Sequence, residues 1–396
     1  MKARQIVPDV YLVGAVDWDR RLFDALIPLP DGTSYNSYLI RSSEKTALID
    51  AVDPPFAELL FSRLDDLNLK RLDYLIANHA EQDHSGAIPQ VLERYPEARV
   101  ITTPKGKGML MDHLHLREER IQAKADGETL SLGNRTLEFI HAPWVHWPET
   151  MLTYLREEKI LFPCDLFGSH LATNDLMVLN ESQVAAAAKR YYAEIMMPFR
   201  THIQRHLEKL KGREISLIAP SHGPLYPRPA LILDLYRDWV ADQPGNLVAL
   251  PFVSMHGSTL RMVDHLKETL QARQVRVVQF NLVEADIGKL VMALVDAATI
   301  VLAAPQVLSG AHPKAIYAAA LVNVLRPKAK SAAIIGSYGW GGKMVEQLTG
   351  LLSNLKVELL EPVLARGLPT AETYQALDRL AEAIVERHAS LAGPRT

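Results

Sequence analysis

A single cysteine, Cys164, stands in a chain of 396 residues. That excludes an intrachain disulfide, a cysteine-ligated cluster and a zinc ribbon. The formal net charge of -3 gives no basic excess of the kind that nucleic-acid binders carry. Long apolar runs are missing as well. The opening Met1-Lys2-Ala3-Arg4-Gln5-Ile6-Val7 has no signal-peptide core. The most apolar later stretch, Leu290 to Ala304, is interrupted by Asp296 and stopped by Pro305, short of the about 20 residues that cross a bilayer. These absences predict a cytoplasmic protein with neither a membrane nor a nucleic-acid partner. With 48% hydrophobic residues the chain has material for large cores, and its length fits two or three domains.

What the chain does have is concentrated at Asn78-His79-Ala80-Glu81-Gln82-Asp83-His84-Ser85-Gly86. The run follows Leu75-Ile76-Ala77, which reads as a buried strand. Ionisable groups beside a buried strand must be hydrated, paired or bound to metal. In a loop, alternate residues turn towards one point, so His79, Glu81 and Asp83 are expected to converge, with His84 beside them.

The first half mixes short strands with helices. Tyr35 to Asp50 is strand-rich, Pro54 to Leu67 carries an apolar stripe at helical spacing, and paired strands run from Leu137 to Phe162. Helical material fills Gln183 to Leu210. This predicts a layered α/β domain with antiparallel pairs. Three apolar runs in it end on a metal-type donor, namely His146, Asp165 and His222. Each alone reads as a turn or capping residue, and together they extend the cluster on loops at strand ends. His202 and His206 lie four apart on a helix, but Ile203 stands where the helical metalloprotease motif has Glu. They read as a solvated face, His113 and His115 as surface residues, and Cys164 as a small buried side chain.

His79-x-Glu81-x-Asp83-His84, then His146, Asp165 and Ser221-His222-Gly223, resemble the metal site of the metallo-β-lactamase fold. Its zinc hydrolases carry His where this chain has Glu81. A carboxylate there adds charge and a harder donor, moving preference from zinc towards iron or manganese. With His146-Trp147-Pro148 and the second half below, the chain resembles the flavodiiron proteins over its whole length. The resemblance implies that His79, Glu81 and His146 bind one iron, that Asp83 and His222 bind the other, and that Asp165 bridges them. These six residues are the expected catalytic set. His84 is a further candidate ligand, bound in some members of the family and turned away in others. Tyr191, Tyr192 and His170 are similar to pocket positions.

Ala241-Asp242-Gln243-Pro244-Gly245-Asn246 breaks the preceding helix, and a boundary is placed there, giving domains 1–244 and 245–396. Strands and helices then alternate five times, which predicts a doubly wound parallel sheet with ligands at its carboxyl edge. Three strand-end loops are distinctive. Ser254-Met255-His256-Gly257-Ser258-Thr259 opens a helix and offers hydroxyls and N–H groups to an anion. No Walker or Gly-x-Gly-x-x-Gly pattern accompanies it, which argues against a nucleoside triphosphate or a dinucleotide. Pro305-Gln306-Val307-Leu308-Ser309-Gly310 and Ser337-Tyr338-Gly339-Trp340-Gly341-Gly342 follow the third and fourth strands. The pattern resembles flavodoxins and implies FMN, its phosphate on 254–259 and its ring between the other two loops.

The fold expected is therefore α/β: an N-terminal metallo-β-lactamase-like αββα sandwich followed by a flavodoxin-like sheet. The family implies two Fe and one FMN per subunit and reduction of O2 to water, of NO to N2O, or both. It further implies a head-to-tail homodimer, alone or as a dimer of dimers. Cys164 stands alone, so no rubredoxin segment is present in these residues, and electrons are expected from a separate donor such as rubredoxin or a rubredoxin reductase system. The competing reading is a metal-dependent thioester or phosphoester hydrolase fused to a flavodoxin-like module.

Overall fold

The computed structural model describes residues 2–23 and 25–391. The chain forms two compact units, residues 1–192 with 199–240, and residues 193–198 with 241–396.

In the first unit, a seven-stranded mixed sheet runs in the order Arg4–Val7, Val10–Leu12, Tyr38–Arg41, Thr46–Ile49, Tyr74–Ile76, Arg99–Thr102, Ile121–Ala123. A five-stranded sheet of Thr129–Ser131, Thr136–His141, Met151–Leu155, Ile160–Phe162 and Leu217–Ile218 faces it. The two-residue period of a strand sorts the side chains. Tyr38, Ile40, Ala47, Ile49, Ile76 and Ile101 enter the core between the sheets, with Leu137, Phe139 and Phe162 from the second sheet. Their neighbours Leu39, Leu48, Leu75 and Val100 enter a second core under the helices.

The helix Ala57–Asp66 meets that second core with Leu60, Phe61 and Leu64, as its apolar stripe requires. Full burial of Leu60 or Leu64 contributes about 1.5–3 kcal/mol each. The helical run expected from Gln183 to Leu210 is divided. Glu181–Tyr191 and Arg200–Leu210 are α-helices, and the π turn Tyr192–Met196 and 3-10 turn Met197–Phe199 lie between them. Pro198, which has no N–H to give to a continuous helix, sits in that interruption. Among the described residues no helix is long and apolar enough to cross a membrane.

The second unit is a parallel sheet in the order Arg276–Asn281, Gly245–Phe252, Ala297–Val307, Ser331–Tyr338, and last Glu358–Leu359 with Val363–Arg366. Numbered along the chain this is 2-1-3-4-5, the flavodoxin-like order. Val248, Leu250 and Phe252 alternate into a core with Met262, Leu266 and Leu270 of the helix Ser258–Ala272 and Leu377, Leu380 and Ile384 of Ala371–Leu391.

Two expectations are corrected in this unit. The fifth strand of the alternation is not one piece: it is split around Pro362 into Glu358–Leu359 and Val363–Arg366. The third strand is longer than read, and Pro305, Gln306 and Val307 belong to it and not to a loop. Gln306 and Val307 pair with Ala311 and Gly310 in a tight hairpin. Pro305 is tolerated because it lies near the carboxyl end of the strand, where little of the ladder remains.

Candidate functional site

The donors stand on loops at one end of the two facing sheets. Asp50, at the end of the strand Thr46–Ile49, fixes the first of them. Its Oδ1 accepts the Asn78 N–H at 2.8 Å and its Oδ2 accepts Asn78 Nδ2 at 3.0 Å. Thr153 Oγ1 donates to Asn78 Oδ1 at 2.7 Å. Burial pushes the Asp50 carboxyl up to about 6, against the pull of His84 and the Asn78 hydrogen bonds.

His79 and Glu81 follow on the loop. Asp83 and His84 do not: they lie on a one-turn helix, Gln82–Ser85. The alternation expected of a loop therefore ends at Glu81, and the helical turn lets adjacent residues 83 and 84 aim the same way.

Seven expected ligands come together in two groups. His79 Nε2 and His146 Nε2 each lie 3.1 Å from Glu81 Oε2 and 3.4 Å from Asp165 Oδ2. His84 Nε2 lies 3.3 Å from Asp83 Oδ1 and 2.9 Å from Asp165 Oδ1. His222 Nε2 lies 3.3 Å from Asp83 Oδ2 and 3.3 Å from Asp165 Oδ1. One oxygen of Asp165 thus faces each group.

His79, His84, Asp165 and His222 are buried, and Glu81, Asp83 and His146 are slightly less covered. Tyr191 and His170 pack their rings 5.7 and 4.9 Å from that of His222. Tyr192 packs on Tyr236 and Trp239.

Electrostatics expose what this arrangement needs. Burial opposes charge on every imidazole, yet Asp165 with Glu81 lifts His146 to about 9, and Asp165 with Asp83 lifts His222 to about 10. Asp165 is buried too, and His84, His146 and His222 still hold it well below the carboxylate range. Protons on the rings thus balance the three carboxylates. Even so, both oxygens of Asp83, Asp165 Oδ2, both nitrogens of His84 and His222 Nε2 are buried without a hydrogen bond.

Donor atoms about 3 Å apart, most of those around Asp83, His84 and His222 buried without a hydrogen bond, are spaced as ligands that would share an ion about 2.1 Å from each. The donors are oxygens and imidazole nitrogens, a set suited to iron or manganese. A metal pair therefore fits. Burial pushes the Cys164 thiol well up, so it is a neutral neighbour of Asp165.

Backbone conformation holds the loops in place. Asp50, Trp144, Cys164 and Phe167 all have positive φ without being glycine. Each costs about 1–3 kcal/mol and survives only where the surroundings over-determine it, as at active sites. Gly223 has φ +83, and a Cβ there would meet Ser169 Oγ at 2.0 Å and Ser169 O at 2.8 Å. Ser169 N donates to His222 O at 3.1 Å, joining the loops of Asp165 and His222.

Reading the sequence missed Glu149. It is 2% exposed, and its Oε1 accepts from His79 Nδ1 at 2.7 Å and from Ala80 N at 2.9 Å. Burial works against its charge, and His79 holds it below the carboxylate range. The one local signal was an acid beside Trp147-Pro148, immediately before a strand that buries all five residues. His202 and His206 lie off the buried face of their helix, which is Ile203, Leu207 and Leu210, and each has a partner at the surface. His202 packs on Trp144 and His206 Nε2 bonds Pro143 O at 2.9 Å.

In the second unit the strands Gly245–Phe252, Ala297–Val307 and Ser331–Tyr338 are neighbours, so the segments 254–259, 305–310 and 337–342 lie side by side at the carboxyl edge. Thr259 Oγ1 and Ser337 Oγ meet at 3.0 Å. Ser254 Oγ accepts the Leu260 N–H at 3.2 Å, and Ser258 starts the helix. Gln306 Nε2 donates to Trp340 O at 2.6 Å, and a Cβ on Gly342 would meet Gln306 Oε1 at 2.3 Å. Met255, His256, Leu308, Ser309, Gly339, Trp340 and Gly341 are exposed around these contacts. Hydroxyls and N–H groups at a helix start, with uncovered apolar and flat side chains beside them, fit a phosphate and a planar ring.

Oxygen and imidazole donors on strand-end loops of two facing sheets define a metallo-β-lactamase-type metal domain, here followed by a flavodoxin-like domain. The family described as "ODP family beta lactamase" matches residues 33–223. The chain is 35% identical to a nitric oxide reductase of Moorella thermoacetica over 394 residues, 96% of this chain and 98% of that one. Its structure resembles the rubredoxin oxygen:oxidoreductase of Desulfovibrio gigas (TM-score 0.94, 27% identity, 99% and 100% covered). It also resembles the flavodiiron protein of Giardia intestinalis (TM-score 0.89, 27% identity, 99% and 98% covered). The chain belongs to the flavodiiron protein family.

Proposed function

We propose that this chain is an oxidoreductase that reduces O2 to water, NO to N2O, or both, at a non-haem diiron site fed through FMN. The observation that carries the reading is Asp165, one buried carboxylate with its two oxygens turned to two separate donor groups. In this reading 1–244 is the diiron domain and 245–396 the FMN domain. His79, Glu81 and His146 hold one iron, Asp83, His84 and His222 the other, and Asp165 bridges them. The phosphate of FMN lies on 254–259 and its ring between 305–310 and 337–342. The names of the Moorella and Desulfovibrio relatives support the two substrates and a rubredoxin-type donor. A head-to-tail homodimer, alone or paired again, and a cytoplasmic location complete the proposal.

When bound, the iron pair supplies one-electron steps and coordination positions that grip a diatomic molecule at both ends, and FMN relays the electrons. The chain's own residues prepare the place. Glu81, Asp83 and His146 are the least covered of the ligands, and the fully buried His79, His84, Asp165 and His222 keep water from the inner side. Burial keeps the Tyr191 phenol protonated and the His170 ring neutral, so uncharged polar groups face His222. Thr33 Oγ1, 2.9 Å from His170 Nδ1, fixes that ring.

The test is metal and flavin analysis of the purified protein, with consumption of each gas driven by reduced rubredoxin. Two irons and one FMN per chain, with uptake of either gas, are expected. Zinc alone with ester cleavage and no gas uptake would replace this reading by the hydrolase.

A further inference from the structure

The ring donors differ in what stands behind them. His79 Nδ1 donates to a buried carboxylate, Glu149 Oε1, at 2.7 Å. His222 Nδ1 donates to a backbone carbonyl, Ser34 O, at 2.6 Å. His84 Nδ1 is buried with no hydrogen bond. The Glu149 contact is built from several sides. The same Oε1 accepts the Ala80 N–H at 2.9 Å, and Thr103 Oγ1 donates to the Glu149 carbonyl at 2.9 Å. The Trp147 ring closes on His79 edge-on, with centroids 5.0 Å apart. Glu149 is therefore anchored at both its carboxylate and its backbone.

We propose that Glu149 is a positioning residue that makes the two metal positions electronically unequal, lowering the reduction potential of the ion held by His79, Glu81 and His146. The inference rests on the diiron reading above. A carboxylate accepting the Nδ1 proton fixes the tautomer that presents Nε2 and raises the basicity of the ring. Its charge reaches the nearer ion through a dry interior, where screening is weak. Both effects favour the more positive oxidation state. On the other side, the carbonyl of Ser34 orients His222 without adding a charge.

Three variants separate charge from shape. Glu149→Gln keeps an oxygen that accepts both N–H groups and removes the charge. Glu149→Asp keeps the charge and shortens the reach. Glu149→Ala removes both. Potentials are read by redox titration with EPR of the iron pair in the holoprotein, with the FMN potential as internal reference. In E149Q the ferric-over-ferrous preference of one ion falls about tenfold, which raises its potential by about 59 mV for a one-electron couple. The second ion moves less, so the gap between the two narrows, and FMN stays where it was. E149A binds iron about 10–100-fold more weakly.

An E149Q protein with full iron and both potentials unchanged overturns the proposal. Should E149Q not retain iron, E149D decides: a wild-type gap supports the role of the charge, and a collapsed gap assigns it to packing and overturns the proposal. A wild-type protein without an iron pair would remove the diiron reading itself, a separate outcome from either of these.

Discussion

Replacing Gly223 by alanine tests whether the loops of Asp165 and His222 form one locked unit. Gly223 has φ +83, so a side chain there enters a left-handed conformation that costs about 1–2 kcal/mol. The new Cβ would also lie 2.0 Å from Ser169 Oγ and 2.8 Å from Ser169 O. The hydroxyl can rotate away and the carbonyl cannot, because Ser169 is tied to His222 through its own N–H. Overpacking of this kind costs about 1–3 kcal/mol more. The sum is about 2–5 kcal/mol, which for a unit of this size lowers Tm by roughly 4–20 °C. Relief of the clash pushes His222 away from Asp165, so loss of iron is expected at temperatures where the fold persists. The double variant Ser169→Ala, Gly223→Ala recovers part of the stability, since it removes the hydroxyl contact and leaves the carbonyl contact and the backbone strain. Calorimetry and iron analysis read both effects. A G223A protein with wild-type Tm and full iron would refute the argument that this contact holds the site.

Other perturbations follow from the same geometry. Glu81→His replaces a carboxylate with an imidazole and is expected to move the bound metal from iron towards zinc, read by elemental analysis after expression with both metals; iron retained in full would count against the donor-hardness argument. Ser258→Glu with Thr259→Glu places two charges on the expected phosphate seat, so flavin should be lost with iron retained, and unchanged flavin absorbance would oppose that assignment. In the metal-free protein His146 and His222 are raised to about 9 and 10, so both carry protons at pH 7.5. Their contribution to folding is complete below pH 6.5 and fades as pH rises through those values. Binding of Fe(II) needs neutral rings, so its addition in weak buffer at pH 7.5 should release protons, and no acidification would contradict it.

The sequence announced the metal site because its donors depart from what packing requires. Four ionisable groups within six residues of a buried strand have no structural excuse, and three later runs end on the same kinds of side chain. Glu149 stayed hidden since its role depends on where residue 79 lies in space, 70 positions away. The helical turn at Gln82–Ser85 was read as loop because one turn is too short to show a period. In the second unit the alternation of strands and helices was plain. The added length of Ala297–Val307 was masked by Pro305, which is usually a stop signal. The partners of His202 and His206, Trp144 and Pro143, come from another part of the chain and could not be read from the helix itself.

The seven donors come from four separate places in the chain, at 79–84, 146, 165 and 222, and they meet only when the facing sheets are complete. During synthesis the early histidines and acids leave the ribosome long before His222 exists. A nascent chain therefore has no formed cage to offer a cation, and contacts of such long range are among the last to close. Loading with iron becomes a late event in the life of each molecule, set by what metal is available when the polypeptide is already folded.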